Sequence, residues 1–247
     1  KITPDGRQDI ITQHFGETFS QAQNAATQFT EGTLPNGLAF AKNGNIYISN
    51  FGTDVLEVME PDGTTTVMYD EIDGEPIGKV NFVLRDKKER LWLTVSTRIK
   101  NWMEAISPNV SDGFIAMADD KGLRIMTDGL SFTNEIRFDA NEEYLYIVET
   151  CGQRISRMKV AEDGTLSQRE VFGPTQLGSG GFPDGIAFDS HGNLWCTLVM
   201  SDQIFAITPE GDYRVILDDR VAETEQALEK AFRADAVTPD HMLAAGG

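Results

Sequence analysis

Four oxygen-bearing side chains recur at one place in an internal repeat: Asn36, Asn81, Asn134 and Asp184, at intervals of 45, 53 and 50 residues. Amide and carboxylate oxygens of this kind can ligate a hard cation or orient a polar substrate, and a carboxylate such as Asp184 can also take a proton. Taken singly, each is ordinary turn chemistry. Aimed together at one buried point they carry more, because each oxygen left without a partner would cost roughly 1–3 kcal/mol. No histidine or cysteine accompanies them. Hard oxygen donors of this kind select one divalent cation, calcium, magnesium or manganese, over zinc or copper.

The elements that must position these residues can be read from the repeat. Pro35–Asn50 (PNGLAFAKNGNIYISN) and Pro183–Leu198 (PDGIAFDSHGNLWCTL) share a Pro-Asn/Asp-Gly turn, an apolar strand, a polar Gly-Asn turn and a second strand. Weaker copies occupy Lys79–Ser96 and Thr133–Thr150. Two further strands follow each strong copy: Val55–Met59 and Thr65–Tyr69, then Gln203–Thr208 and Tyr213–Leu217. Each of these pairs is split by a Pro-Asp-Gly or Pro-Glu-Gly turn in which Pro presets φ and Gly accepts positive φ. Four short strands repeating every 45–53 residues predict the blades of an all-β propeller. A jelly roll or immunoglobulin sandwich would not repeat its own turn chemistry.

The spacing also predicts an incomplete ring. Pro61 and Pro209 each stand 25 residues beyond Asn36 and Asp184, and Ile2-Thr3-Pro4-Asp5-Gly6 reproduces Ile207-Thr208-Pro209-Glu210-Gly211. The expectation is a single domain over residues 1–247, incomplete at both ends, holding four complete blades and one outer hairpin. A separate fragment or further chain, with processing near Gly246-Gly247 as one route, would then complete the propeller.

Bulk composition narrows the partners. A net charge of −18 argues against nucleic acid and anionic membrane surfaces, and no apolar run is long enough to span a bilayer. A small-molecule substrate and a soluble protein are expected, leaning cytoplasmic, with a removed signal peptide left open. Cys151 and Cys196 occupy different points of their repeats, which argues against a disulfide. His14, His191 and His241 lie in turns or terminal segments, which argues against a histidine metal site or a Ser-His-Asp triad.

Two insertions depart from the blade pattern. Residues 97–111 lengthen a link between strands, and residues 219–240 lengthen a link between blades. Glu223–Arg233 has helical spacing, with Ala227, Leu228, Ala231 and Phe232 expected on one buried face. Both link types emerge on the face where inner strands begin, so they predict a lid above the Asn/Asp mouth. Trp102 and Met103 are the expected substrate-covering side chains.

Lys79–Arg90 (KVNFVLRDKKER), Phe132–Asn141 (FTNEIRFDAN) and Phe182–Asn193 (FPDGIAFDSHGN) resemble the senescence-marker protein/gluconolactonase (regucalcin-like) family of six-bladed propellers. The similarity runs from Leu34 to about Leu217, and Pro183-Asp184-Gly185 with the Gly192-Asn193-Leu194-Trp195 hairpin is its most specific part. The resemblance implies one central divalent cation with Asn134 and Asp184 as ligands, calcium first, with magnesium, manganese or zinc as alternatives. It implies that Asn81 contacts substrate or, as in related phosphotriesterase-like propellers, the metal. A Glu ligand is expected in the inner half of the opening blade, upstream of Lys1; Glu31 precedes a different blade and is not taken for it. Glu135 replaces a usual Gly and points either to the mouth or into the blade interface. Lys79 stands where relatives carry Arg and could orient an anionic substrate.

The implied activity is metal-dependent lactone hydrolysis, with the cation polarising the carbonyl and Asp184 acting as base or transient nucleophile. Asn81 would fix the ring oxygen or a hydroxyl, and Asn134 would hold the cation. Asn36 would form a pocket wall, and Lys79, Arg98 and Trp102 would contact substrate. Alternatives are a metal-dependent esterase or phosphotriesterase on the same site, or a non-catalytic ligand-binding propeller.

Overall fold

The turn chemistry of the sequence is realised strand by strand in a computed structural model that describes residues 2–14, 32–178 and 180–245. The first sheet comprises β1 (Pro35–Phe40), β2 (Ile46–Asn50), β3 (Val55–Met59) and β4 (Thr65–Tyr69). A small hairpin, β5 (Glu71–Ile72) and β6 (Glu75–Pro76), leads to the second sheet. That sheet comprises β7 (Val80–Arg85), β8 (Leu91–Val95), β9 (Gly113–Asp119) and β10 (Gly122–Leu130). The third contains β11 (Thr133–Phe138), β12 (Tyr144–Glu149), β13 (Arg154–Val160) and β14 (Leu166–Val171). The fourth contains β15 (Phe182–Phe188), β16 (Leu194–Val199), β17 (Gln203–Ile207) and β18 (Tyr213–Asp218). All four are antiparallel meanders in chain order. Helices α1 (Ala222–Arg233) and α2 (Pro239–Ala245) follow, and a 3₁₀ turn covers Trp102–Ala105. Strand limits fall within one residue of those read from the repeat at β2, β3, β4, β16, β17 and β18.

The Gly-bearing turns explain that agreement. Gly63 and Gly211 adopt φ of 95° and 93°, and their N–H groups close turns on Glu60 and Thr208. Gly6, at φ 82°, closes the same turn on Thr3, so the opening segment does reproduce the later hairpin locally. In the second and fourth sheets an aspartate also braces the hairpin between the first and second strands: Asp86 and Asp189 each accept backbone N–H groups across the turn and the indole N–H of Trp92 or Trp195.

Period-two alternation sends side chains to opposite sheet faces and builds one core between each successive pair of sheets. Phe114, Ala116 and Ala118 of β9 pack toward the first sheet with Leu56 and Val80, while Ile115 and Met117 pack toward the third with Ile136 and Leu145. Ile155, Ile186, Leu194 and Phe205 fill the space between the third and fourth sheets. The inner strands β1, β7, β11 and β15 stand side by side in that order. The arrangement is β-propeller-like, and no sheet among the described residues closes on itself. No described helix is long and apolar enough to cross a membrane.

A fourth apolar cluster lies over the end of the sheets where the inner strands begin. It joins Phe51, Phe132, Cys151 and Phe182 to Ala105 and Ile106 of the first insertion and Leu228 and Phe232 of α1. The helix is found where its spacing predicts it, with one correction. Ala227 is exposed, and Glu225 is buried in its place beside Leu228, Ala231 and Phe232. The cause is a helix face rotated toward Glu225, whose carboxylate lies 3.5 Å from Arg220.

Candidate functional site

Each inner strand loses register with its neighbour at the Asn/Asp position. The slips lie between Pro35 and Leu38, Val80 and Phe82, Thr133 and Ile136, and Pro183 and Ile186. Beyond them the register is common to all four: Phe40 pairs with Ile46, Arg85 with Leu91, Phe138 with Leu145 and Phe188 with Leu194. Asn36, Asn81, Asn134 and Asp184 are therefore equivalent, each on a bulge that re-aims its side chain. In three sheets the next N–H, freed from the ladder, donates to a second-strand hydroxyl. Gly37 bonds Ser49 at 2.7 Å, Phe82 bonds Thr94 at 3.0 Å and Gly185 bonds Thr197 at 3.1 Å. The third sheet has Val148 there, without a hydroxyl.

The four side chains meet as two couples rather than as one ring of oxygens. Asn36 Nδ2 donates to Asn81 Oδ1 at 2.9 Å, and Asn81 Nδ2 donates to Ser96 Oγ at 3.0 Å. Asn134 Nδ2 donates to Asp184 Oδ1 at 2.6 Å and to Thr150 Oγ1 at 3.2 Å. Neighbouring amides thus satisfy one oxygen of Asn81 and one of Asp184. Asn81 and Asn134 are buried, Asp184 is half-buried and Asn36 is exposed.

Three buried hydroxyls stitch the couples into the scaffold. Ser49 donates to Asn81 O, Ser96 to Thr133 O and Thr150 to Pro183 O, each at 2.7 Å and each crossing to the next sheet. Sequence reasoning missed these residues. Their signal was a Ser or Thr at the end of each second strand, in Ile48-Ser49, Val95-Ser96 and Glu149-Thr150.

Electrostatics single out the couple between the third and fourth sheets. Burial pushes the Asp184 carboxyl above the ordinary range, against the hydrogen bond from Asn134. Glu135 is also pushed up by burial, opposed by the Ile186 N–H and Arg137 and assisted by the negative charge of Asp184. Of its two readings, Glu135 takes the blade interface, accepting from Ile186 N at 3.0 Å with Arg137 3.2 Å away. The Cys196 thiol, backed against Asp184, is driven up by burial. Both cysteines are free and buried.

The oxygen donors around Asp184 suit a hard cation better than a soft one: one desolvated carboxylate with amide groups beside it, and no imidazole or thiolate set. Among the described residues no three His, Cys, Asp or Glu side chains cluster as a metal cage. Glu31 lies outside the described residues, as do Lys1 and Gly246-Gly247.

The remaining expected substrate contacts are engaged elsewhere. Lys79 is fully buried, with Nζ 2.8 Å from Asp54 and 5.8 Å from the Phe51 ring centre. Its charge is thus matched inside the fold rather than presented at the mouth. Exposed Arg98 donates to Pro76 O at 3.0 Å and lies over Phe114. Trp102 is half-buried in the apolar cluster beneath the two insertions, edge-on to Phe51 at 5.8 Å and tilted against Phe132 at 6.2 Å. Polar contacts also dock the helix: Gln153 Nε2 and Gly180 N both donate to Glu229, and Arg233 donates to Gln153.

The chain as a whole has counterparts among known proteins. The pattern defining the SMP-30/Gluconolactonase/LRE-like region matches residues 9–220. The chain belongs to this family. An uncharacterised protein of Sulfolobus acidocaldarius is 27% identical over 179 residues, covering 72% of this chain and 62% of the relative. A 6-deoxy-6-sulfogluconolactonase of Pseudomonas putida is 28% identical over 109 residues, covering 44% of this chain and 36% of the relative. The structure of a gluconolactonase from Xanthomonas campestris superposes with a TM-score of 0.62 at 19% identity, covering 76% of this chain and 63% of that one. The chain therefore spans under two thirds of these relatives' lengths, and the structural likeness bears on fold alone.

Proposed function

We propose that the protein is a lactone hydrolase in which Asp184 is the catalytic carboxylate. The observation that carries this reading is the Asn134–Asp184 couple, a desolvated carboxyl with a raised proton affinity that accepts one short hydrogen bond from the Asn134 amide. Membership of a family with gluconolactonases supports the substrate class. A general base works best when its proton affinity approaches that of the medium, and burial moves Asp184 in that direction. Asp184 accepts a proton from water as the water oxygen bonds to the lactone carbonyl carbon. The ring carbon–oxygen bond then breaks, and the proton passes to the departing ring oxygen, giving a hydroxy acid. Asn134 holds Asp184 through Nδ2. Asn81, itself oriented by Asn36 and Ser96, positions the ring oxygen or a hydroxyl.

A divalent cation of the oxygen-preferring class, calcium by family resemblance, is proposed to be held by Asp184 and Asn134 with Asn81 beside them; when bound it would supply polarisation of the lactone carbonyl. Trp102 closes the lid over the mouth, and Asn36 forms an exposed wall. A six-bladed ring is also proposed. Leu38 and Phe40 are 50% and 69% exposed and Trp195 37% exposed, each alternating with residues that face the cores already described. These apolar faces suit further sheets, from this protein or a separate fragment. The test is a hydrolysis assay of lactones beside an organophosphate triester. Turnover of lactones above the triester is expected; preference for the triester, or no turnover of either, would reject the reading.

A further inference from the structure

The bulge that carries Asp184 slips register between Pro183 and Ile186, and the third sheet holds it at three points. On its near side Thr150 Oγ1 donates to Pro183 O at 2.7 Å, and at its centre Asn134 Nδ2 donates to Asp184 Oδ1 at 2.6 Å. On its far side Ile186 N donates to Glu135 Oε2 at 3.0 Å. Glu135 also lies alongside Gly185, where an added Cβ would stand 3.9 Å from its carboxyl carbon. The inner strand β15 is an edge of its sheet, so alternate N–H groups have no ladder partner, and Ile186 uses Glu135 instead.

This third contact is particular to one place in the repeat. The residues equivalent to Glu135 are Gly37, Phe82 and Gly185, whose side chains cannot accept a hydrogen bond. Consecutive side chains of a regular strand point to opposite faces, but the slip between Thr133 and Ile136 lets both Asn134 and Glu135 reach the fourth sheet. Glu135 is itself braced. Arg137 Nη2 lies 3.2 Å from the same Oε2, Arg137 Nη1 donates to Ile136 O at 3.1 Å, and the guanidinium lies over the Phe82 ring at 4.6 Å. A carboxylate held on both sides fixes the spacing of β11 and β15 at the residue next to the Asn134–Asp184 bond.

We propose that Glu135 is a positioning residue for Asp184, pinning the far side of its bulge through the Ile186 N–H. This inference rests on the lactonase reading and deepens it, since Glu135 acts through Asp184. The test compares Glu135→Ala, which removes the tether, with Glu135→Gln, which keeps an oxygen for Ile186 N–H. The alanine variant should fold, because Gly, Phe and Gly serve at the equivalent positions. With glucono-1,5-lactone it should lose kcat on the order of tenfold to a hundredfold with KM little changed, as expected of a displaced catalytic group. Glutamine should restore kcat to within a few-fold. Equal loss in both variants, or loss in neither, overturns the assignment while leaving lactone hydrolysis standing. Amide NMR and hydrogen exchange on the same samples follow the Asn134 side-chain amide and the Ile186 N–H. A shifted Asn134 signal and faster Ile186 exchange are expected in the alanine variant alone; an unmoved Asn134 signal there overturns the proposal. If the unaltered protein turns over no lactone, the lactonase reading fails and these two signals decide the tether by the same outcomes. If the alanine variant does not fold, retained Ile186 protection in the glutamine variant upholds the tether and its loss overturns it.

Discussion

Replacing Thr150 with Val tests the scaffold beneath the site without changing side-chain shape. The Thr150 hydroxyl is buried between two sheets, donating to Pro183 O and accepting from Asn134 Nδ2. Valine fills the same volume but leaves the Pro183 carbonyl and one Asn134 amide hydrogen without partners. Each orphaned buried group costs roughly 1–3 kcal/mol, so Thr150→Val should destabilise by about 2–6 kcal/mol. Thr150→Ser keeps both bonds and loses one methyl, which costs only about 1 kcal/mol. Urea unfolding at constant m-value should therefore show a midpoint drop on the order of 1 M for the valine variant and a much smaller one for serine. Equal midpoints for the two variants would refute the claim that hydroxyl-to-carbonyl bonds join the sheets.

Two buried glutamates should give opposite pH responses. Burial would raise Glu149, but Arg154, Ser156 and the Ser131 N–H together hold its proton affinity below normal. Its stabilisation is thus present above the unfolded carboxylate range and lost as pH falls through the depressed folded value, so Glu149→Gln should weaken the protein near neutrality and flatten its acid limb. Burial raises Glu57 despite bonds from Asn50 and Gln13, so its contribution is present at low pH and lost as pH rises through the raised folded value. Glu57→Gln should accordingly stabilise at neutral pH, and thermal melts from pH 3 to 8 check both signs. Phe232 is 1% exposed and packs edge-on to Phe182 at 4.9 Å, so Phe232→Ala should cost about 3–5 kcal/mol of helix packing. Faster limited proteolysis within residues 219–245 would register that loss, and unchanged cleavage would argue against that packing.

What could be read in the sequence was local. Pro61-Asp62-Gly63 and Pro209-Glu210-Gly211 dictate their turns through φ alone, and alternation in Leu194–Leu198 fixes which side chains enter a core. The equivalence of Asn36, Asn81, Asn134 and Asp184 was legible for the same reason, because a repeated turn carries a repeated bulge. What stayed hidden depends on neighbours distant in sequence. Lys79 finds Asp54 across a sheet boundary, and Glu135 meets Ile186 of the following sheet. The pairing of Asn134 with Asp184 spans 50 residues and depends on how two sheets pack. Glu225 takes the buried place expected for Ala227 because the helix's rotation is set by what it packs against, with Arg220 beside Glu225, as much as by its own spacing.

The central claim is that Asp184 carries the chemistry while the fold does not need its charge. The decisive measurement is kcat/KM for lactone hydrolysis by Asp184→Asn against the unaltered protein, with circular dichroism and melting recorded on the same samples. The account predicts that turnover is lost while the spectrum and melting transition persist, since an amide keeps an oxygen to accept from Asn134 but cannot act as a base. Full activity in Asp184→Asn would contradict it.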